Sequence, residues 1–168
     1  MKQIILPIIG VVFFIVLVGL LTQKVQDGKF TFPVKNSAEV SQRSEIKIND
    51  ITIPVEIANT DILRRKGLSN QDSLPEGQGM FFVFTQKDVK PPFWMKDMKF
   101  AIDIIWINDD EIVQIDKNVQ PPAPGTTDDK LLLYMPAQPI DYVLEVAAGF
   151  SDNNNILVGN VIDISSIQ

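Results

Sequence analysis

The 168-residue sequence contains no cysteine and no histidine. The missing cysteine excludes disulfides, thiolate nucleophiles and a lipid anchor carried on sulfur. The two absences together exclude zinc sites of the Cys/His kind. Without histidine there is no Ser-His-Asp or Cys-His machinery and no imidazole switch near neutral pH. The sequence also lacks a G-x-x-x-x-G-K-[ST] phosphate loop and a dinucleotide-binding fingerprint. Chemistry is left to carboxylates, Lys, Tyr, hydroxyls and the backbone, and no cofactor or metal is implied. Positive charge is sparse beyond the first quarter of the chain. Residues 1–44 carry five bases against two acids, net +3, and residues 45–168 carry ten bases against nineteen acids, net −9. An acidic domain repels phosphate backbones, so nucleic acid is not an expected partner.

Apolar residues make up 45% of the chain, with much of the excess at its start. Ile4–Leu21, IILPIIGVVFFIVLVGLL, runs for 18 residues without a charge. As a helix it would span about 27 Å, close to the thickness of a hydrocarbon core. Lys2 precedes it, which favours a cytoplasmic N-terminus and an exported remainder. The segment ends GLLTQKVQDG, with no A-x-A-like cleavage site. The expectation is one transmembrane helix in residues 1–21, held in membrane lipid through residues 4–21. A polar linker over 22–44 and an extracytoplasmic globular domain over 45–168 follow. A cleaved signal and a secreted domain form the alternative.

The remainder alternates as strands do. In Glu45–Ala58, EIKINDITIPVEIA, apolar residues recur at period two on either side of Asn49-Asp50, which is a hairpin pattern. Thr60–Leu68 reads as a short capped helix ended by Gly67. Met80–Phe84 is a short buried strand. Lys99–Asn108 is another, joined through Asp109-Asp110 to Ile112–Ile115. Pro121, Pro122, Pro124 and Gly125 mark a long loop. Leu131–Tyr134, Ile140–Val146 and Leu157–Ile164 read as further short strands, with a turn or brief helix at Ala147–Phe150. The expected fold is mainly β, a β-rich α+β domain. It is small and barrel- or sandwich-like, with one or two short helices.

Two features stand out chemically. Asp103 is the sole charge in FAIDIIWI, a run otherwise fit for a sheet core. A buried carboxylate must be paired or hydrogen-bonded, or it shifts its pKa. It reads either as a structural acid, held by backbone amides or by an arginine such as Arg64, or as a site residue. Phe93–Met98, FWMKDM, places aromatic rings beside a Lys and an Asp. Rings can stack on a ligand while charges orient it, and the competing reading is core for Trp94 and Met95 with Lys96 and Asp97 in water. The acidic loops at 109–111, 128–129 and 152–155 do not match a calcium-binding loop, and turn chemistry accounts for them.

In order, GMFFVF (79–84), FWMKDMKFAIDIIWI (93–107), YVLEVAAGF (142–150) and VGNVI (158–162), with RRKGL (64–68) upstream, resemble the uncharacterised family DUF192. The resemblance covers roughly Ile46 to Ile164. It implies a compact β-rich domain, often behind a signal or membrane segment, and no established activity. Its W-M-K-[ND] segment and the acid of its I-D-I position fall here on Trp94, Met95, Lys96, Asp97 and Asp103. Asp97 stands where many relatives have Asn, which counts against a catalytic acid there. Arg64, Asp103 and Glu145 match the pattern. The functional reading is therefore a membrane-tethered binding module for an envelope ligand or protein. Its candidate residues are Arg64, Trp94, Met95, Lys96, Asp97, Asp103 and Glu145, on a face running from Trp94 to Asp103. The alternatives are a structural or assembly protein without a ligand pocket, and an envelope carbohydrate hydrolase using two carboxylates.

Overall fold

The structure is a computed structural model, and it describes residues 42–167. The expected membrane segment over 1–21 and most of the expected linker lie outside the described residues. Among the described residues, no helix is long and apolar enough to cross a membrane.

Seven strands form one sheet: β1 (Gln42–Ile48), β2 (Ile51–Ala58), β3 (Gly79–Val83), β4 (Ile102–Asn108), β5 (Glu111–Val119), β6 (Tyr142–Ala147) and β7 (Ile162–Asp163). Two short helices accompany them, α1 (Asp61–Lys66) and α2 (Phe150–Asn153), with a single 3-10 turn at Asp128–Lys130. The spatial order is β5-β4-β6-β3-β2-β1-β7. Every neighbouring pair is antiparallel except β2 and β3, which are parallel and joined by the crossover that carries α1. The sheet curls into a half-barrel. Its two ends meet at one rim, where Val161, next to β7, bridges Glu111 of β5. The Ile162 amide also donates to Asp110 O, and the Ile112 amide to Asn160 O. These bonds cover part of an edge that would otherwise be exposed.

Both expected hairpins form. Ile48 pairs with Ile51 across Asn49-Asp50, and Asn108 with Glu111 across Asp109-Asp110. Asn49 and Asp109 take the left-handed conformation, which Asn and Asp tolerate better than most residues. Some expected strands are shorter or absent. Leu131–Tyr134 contributes one bridge, at Tyr134, and only Ile162–Asp163 of the expected final strand pairs as a strand.

Alternation along the strands fills two separate cores. Ile46, Ile53, Phe81, Ile105, Ile107, Leu144 and Val146 pack inside the curl. Met80, Phe82, Ile104, Trp106 and Val143 point to the outer face, where Leu68, Met95, Met98 and Ile140 cover them. Strands β3, β4 and β6 are thus buried on both sides, which is why they read as continuous apolar runs. Gly79 opens β3 because there is no room for more: an added Cβ would lie 2.8 Å from Leu144 Cδ1 and 2.9 Å from Glu145 O.

Candidate functional site

The outer core is incompletely covered, and the gap is a pocket. Thr60 caps α1, its hydroxyl accepting from the Leu63 amide at 3.2 Å, and Gly67 ends the helix with φ +46°. The six-residue helix sets Arg64, Arg65 and Lys66 in its last turn, where its dipole favours cations. The loop after it runs beside the 91–98 segment. Ser69 Oγ donates to Lys96 O at 2.8 Å, and the Asn70 amide donates to Asp97 O at 2.8 Å. Phe93 and Tyr134 exchange two backbone hydrogen bonds of 2.9 Å, which fixes the other side of that segment. The walls are therefore held by the main chain.

Between these walls lies a cavity of about 380 Å³. Phe82, Phe84, Phe93, Trp94, Met95 and Met98 line it, with Leu68, Pro91 and Pro92. Phe93 is the hub of the rings, edge-on to Phe82 at 5.0 Å, to Phe84 at 6.5 Å and to Trp106 at 5.3 Å. Trp94 is 40% exposed, so an aromatic surface remains open to water beside the pocket. Asp61, Arg64, Arg65 and Lys66 line the α1 side. Arg64 is spoken for: Nη1 donates to Val83 O and Nη2 to Asp61 Oδ1, both at 2.6 Å, and the guanidinium lies 5.7 Å from the Phe84 ring centre. The side chains of Arg65 and Lys66 make no ion pair among the described residues.

Glu145 supplies the unusual group. It lies on β6, opposite Met80 of β3 and Ile104 of β4, at a position where the sheet's outer face is otherwise apolar. It is 6% exposed, it lines the cavity, and its carboxyl has no hydrogen-bond or ion-pair partner among the described residues. Burial pushes its pKa up to about 8. At neutral pH the group is mainly a neutral carboxylic acid, with one proton to donate.

Asp103 sits elsewhere. It pairs with Val146 and therefore faces the inside of the curl. A bulge in the β4–β5 ladder places Lys117 and Asn118 opposite it. The Asn118 amide donates to Oδ1 at 2.9 Å, the Gly149 amide to Oδ1 at 3.2 Å, and the Ser151 amide to Oδ2 at 3.0 Å. Asp103 thus ties β5 to the turn that starts α2. The suggested partner Arg64 does not reach it, because that guanidinium is engaged with Asp61 and Val83.

The seven candidates therefore separate. Arg64, Trp94, Met95 and Glu145 line one pocket; Lys96, Asp97 and Asp103 do not. Lys96 pairs with Asp128, which raises its pKa. Asp97 is exposed and left-handed, φ +57°, and its carbonyl accepts from Asn70. Asn and Asp both suit that conformation, so the position answers to backbone geometry rather than to an acid. Along the stretch from Trp94 to Asp103, Trp94 and Met95 line the pocket, while Asp103 faces the other side of the sheet. The hydrolase reading loses its geometry as well, because Asp103 and Glu145 lie on opposite faces and Asp97 is outside the pocket. Among the described residues, no cluster of acids could hold a metal ion.

The family model of DUF192, described as an uncharacterized ACR, matches residues 44–164. The chain belongs to the DUF192 family. Two solved structures share its fold. One, from Sinorhizobium meliloti 1021, is of a "putative transcription regulator". It is 22% identical with a TM-score of 0.64, over 73% of this chain and 94% of that one. The other, from Novosphingobium aromaticivorans DSM 12444, is of a protein of unknown function. It is 23% identical with a TM-score of 0.65, over 79% of this chain and 89% of that one. No curated protein matches the sequence. What this DUF192 domain does must be argued from its pocket.

Sequence reasoning missed most of that pocket. Phe82 and Phe84 belong to MFFVF, which reads as a core strand. Arg65 and Lys66 read as ordinary helix surface. The run of three cations, Arg64-Arg65-Lys66, in the last turn before Gly67 was the available signal for a basic mouth.

Proposed function

We propose that this domain is a binding module for a small, partly apolar molecule, held between α1, the 91–98 segment and the outer face of β3 and β6. The observation that carries the reading is Glu145, a buried carboxyl without a partner among the described residues, facing a cavity lined by aromatic rings. A carboxyl so buried favours its neutral form, and a hydrogen-bond acceptor in the cavity would meet its proton. The cavity is of ligand size, and mostly apolar walls with a few polar groups are usual for small-molecule sites. Residues 4–21 would hold the module at a membrane, with the pocket on the extracytoplasmic side. The reading does not extend to nucleic acid. The regulator named for the Sinorhizobium structure is too distant to transfer more than the fold, and residues 45–168 carry a net charge of −9.

The test is a thermal-shift screen of small aromatic and aliphatic acids, amines and alcohols on the full-length chain. Trp94→Ala and Glu145→Leu run in parallel. The reading expects hits that stabilise the parent, lose their effect in Trp94→Ala and stabilise Glu145→Leu less. A screen whose hits all persist in both variants, or that yields none, overturns it.

A second reading applies to part of the family motif. Asp103, with three backbone donors, supports a structural role for that acid, and the same holds for the left-handed turn at Asp97.

A further inference from the structure

The pocket is asymmetric, and its asymmetry specifies a chemical class of ligand. At the mouth stand three cations of α1, Arg64, Arg65 and Lys66, against one acid, Asp61. Asp61 is already bonded to Arg64 at 2.6 Å, so the charges of Arg65 and Lys66 are unopposed there. The middle is a band of rings and thioethers, from Phe82, Phe93, Trp94 and Met95. At the sheet lies Glu145, 6% exposed and unpartnered, with the apolar Met80 and Ile104 opposite it on either side. Among the described residues no cation pairs with it, and a carboxyl in such surroundings keeps its proton. Among the described residues, the other charged side chains lining the cavity are the four of α1, and the strands packed beside Glu145 bring apolar side chains to it.

Resting on the binding reading above, we propose that the pocket selects amphipathic anions: an acidic head at Arg65 and Lys66, an apolar or aromatic body against the rings, and at the far end an uncharged acceptor that takes the Glu145 hydrogen bond. A carbonyl, ether or hydroxyl oxygen meets the last requirement. An amine does not suit the mouth, where it would face two unopposed cations. A second carboxylate does not suit the floor, where burial disfavours charge. Glu145 thereby distinguishes ligands of similar size and hydrophobicity, because a site built to donate a hydrogen bond discriminates against an analogue that cannot accept it.

Three probes of similar shape separate these elements. 4-Acetylphenylacetate has the anionic head and the acceptor. 4-Isopropylphenylacetate keeps the head and lacks the acceptor. 4-Acetylbenzylamine keeps the acceptor and reverses the charge. Each is titrated calorimetrically at pH 6.5 into the full-length chain in lipid nanodiscs, against empty nanodiscs. The acetyl acid is expected to bind tightest and the isopropyl acid about 3- to 10-fold more weakly, the value of one hydrogen bond. The amine is expected to be weakest, and added salt is expected to narrow its gap from the acids. Glu145→Leu should remove the difference between the two acids. Glu145→Gln, whose amide still donates, should keep part of it. Arg65→Ala with Lys66→Ala should remove the preference for acid over amine. If the amine binds tightest, or if the two acids bind equally to the parent, the proposed class is overturned. The pocket reading survives that result provided Trp94→Ala still abolishes binding. If no probe binds, the class is again overturned, and the thermal-shift screen decides separately whether the pocket itself falls.

Discussion

Two buried carboxylates sit on adjacent strands of one sheet, Asp103 on β4 and Glu145 on β6, one residue out of register and therefore on opposite faces. Asp103 accepts three backbone N–H groups inside the end of the curl. Glu145 accepts none among the described residues, and it lines the cavity. The first acid is met by the fold, and its surroundings would be worse without it. The second is tolerated by the fold at a cost in stability, and its surroundings make sense with a ligand. Burial alone does not distinguish the two acids; the count of partners does, and the binding proposal rests on that difference.

The comparison is sharpest where the two substitutions have opposite signs. Asp103→Ala leaves three buried or half-buried amides without acceptors, and each costs about 1–3 kcal/mol. The expected loss is roughly 5 kcal/mol in urea unfolding followed by tryptophan fluorescence. A loss under about 1 kcal/mol would mean that water replaces the carboxylate and that the acid is not what ties β5 to α2.

Glu145→Gln should stabilise. The folded pKa is raised to about 8 from the ordinary 4.5. Below pH 4.5 the carboxyl is protonated whether the chain is folded or not, and it adds no pH dependence. Between those values the unfolded chain releases a proton that the folded chain keeps, so stability falls as pH rises, and the full penalty is reached above pH 8. Glu145→Gln removes that slope. Relative to the parent, the variant should gain about 2–4 kcal/mol at pH 8 and close to nothing at pH 4.5. Unfolding curves for both proteins across this range check it. Equal differences at both ends of the range would refute an untitrated, partnerless acid.

Gly79→Ala tests whether the two acids share a frame. The new Cβ would press on Leu144 Cδ1 at 2.8 Å and on Glu145 O at 2.9 Å, and that carbonyl belongs to the β6 backbone that positions both neighbourhoods. A loss of about 1–3 kcal/mol is expected, as for other overpacked sites. Affinity for 4-acetylphenylacetate should weaken in step. Lost stability with unchanged affinity would show that β6 absorbs the new Cβ without displacing Glu145.

The hairpins and α1 were legible because their determinants are local; the strand order, with β2 and β3 parallel and β6 between β3 and β4, was not. Period-two alternation and the two Asn/Asp turns indicate both hairpins, and Thr60 and Gly67 bound α1. The lengths of β5 and of the last strand were not legible, since the first depends on a bulge and the second on pairing with residues more than 100 positions away. For the site, Asp103 was conspicuous because a charge interrupts an apolar run, yet its partners are amides at 118, 149 and 151, which no side-chain pattern announces. Glu145 lay in YVLEVA as the one charged residue of an otherwise largely apolar strand. That its position faces an apolar core rather than water depends on which loops cover the outer face, and those are fixed by the bridges at Phe93–Tyr134 and Val89–Ile140.

Lys96 gives the smallest expected effect and marks the border between the two regions. It follows Met95, which lines the pocket, but its ammonium group turns to Asp128 on the exposed 3-10 turn. Both partners are solvent-exposed, and exposed ion pairs contribute little. Lys96→Ala should leave the melting temperature unchanged within error and leave 4-acetylphenylacetate affinity within about twofold of the parent. Trp94→Ala, two residues earlier, should abolish that binding. A Lys96→Ala loss comparable to that of Trp94→Ala would extend the site along the motif and restore the ligand-binding role first read into its charges. Unchanged affinity would confine the site to the rings, the basic mouth and Glu145. Lys96 would then act as a tether for the 120–135 loop, and weaker protection of that loop from hydrogen exchange in Lys96→Ala would be its one visible consequence.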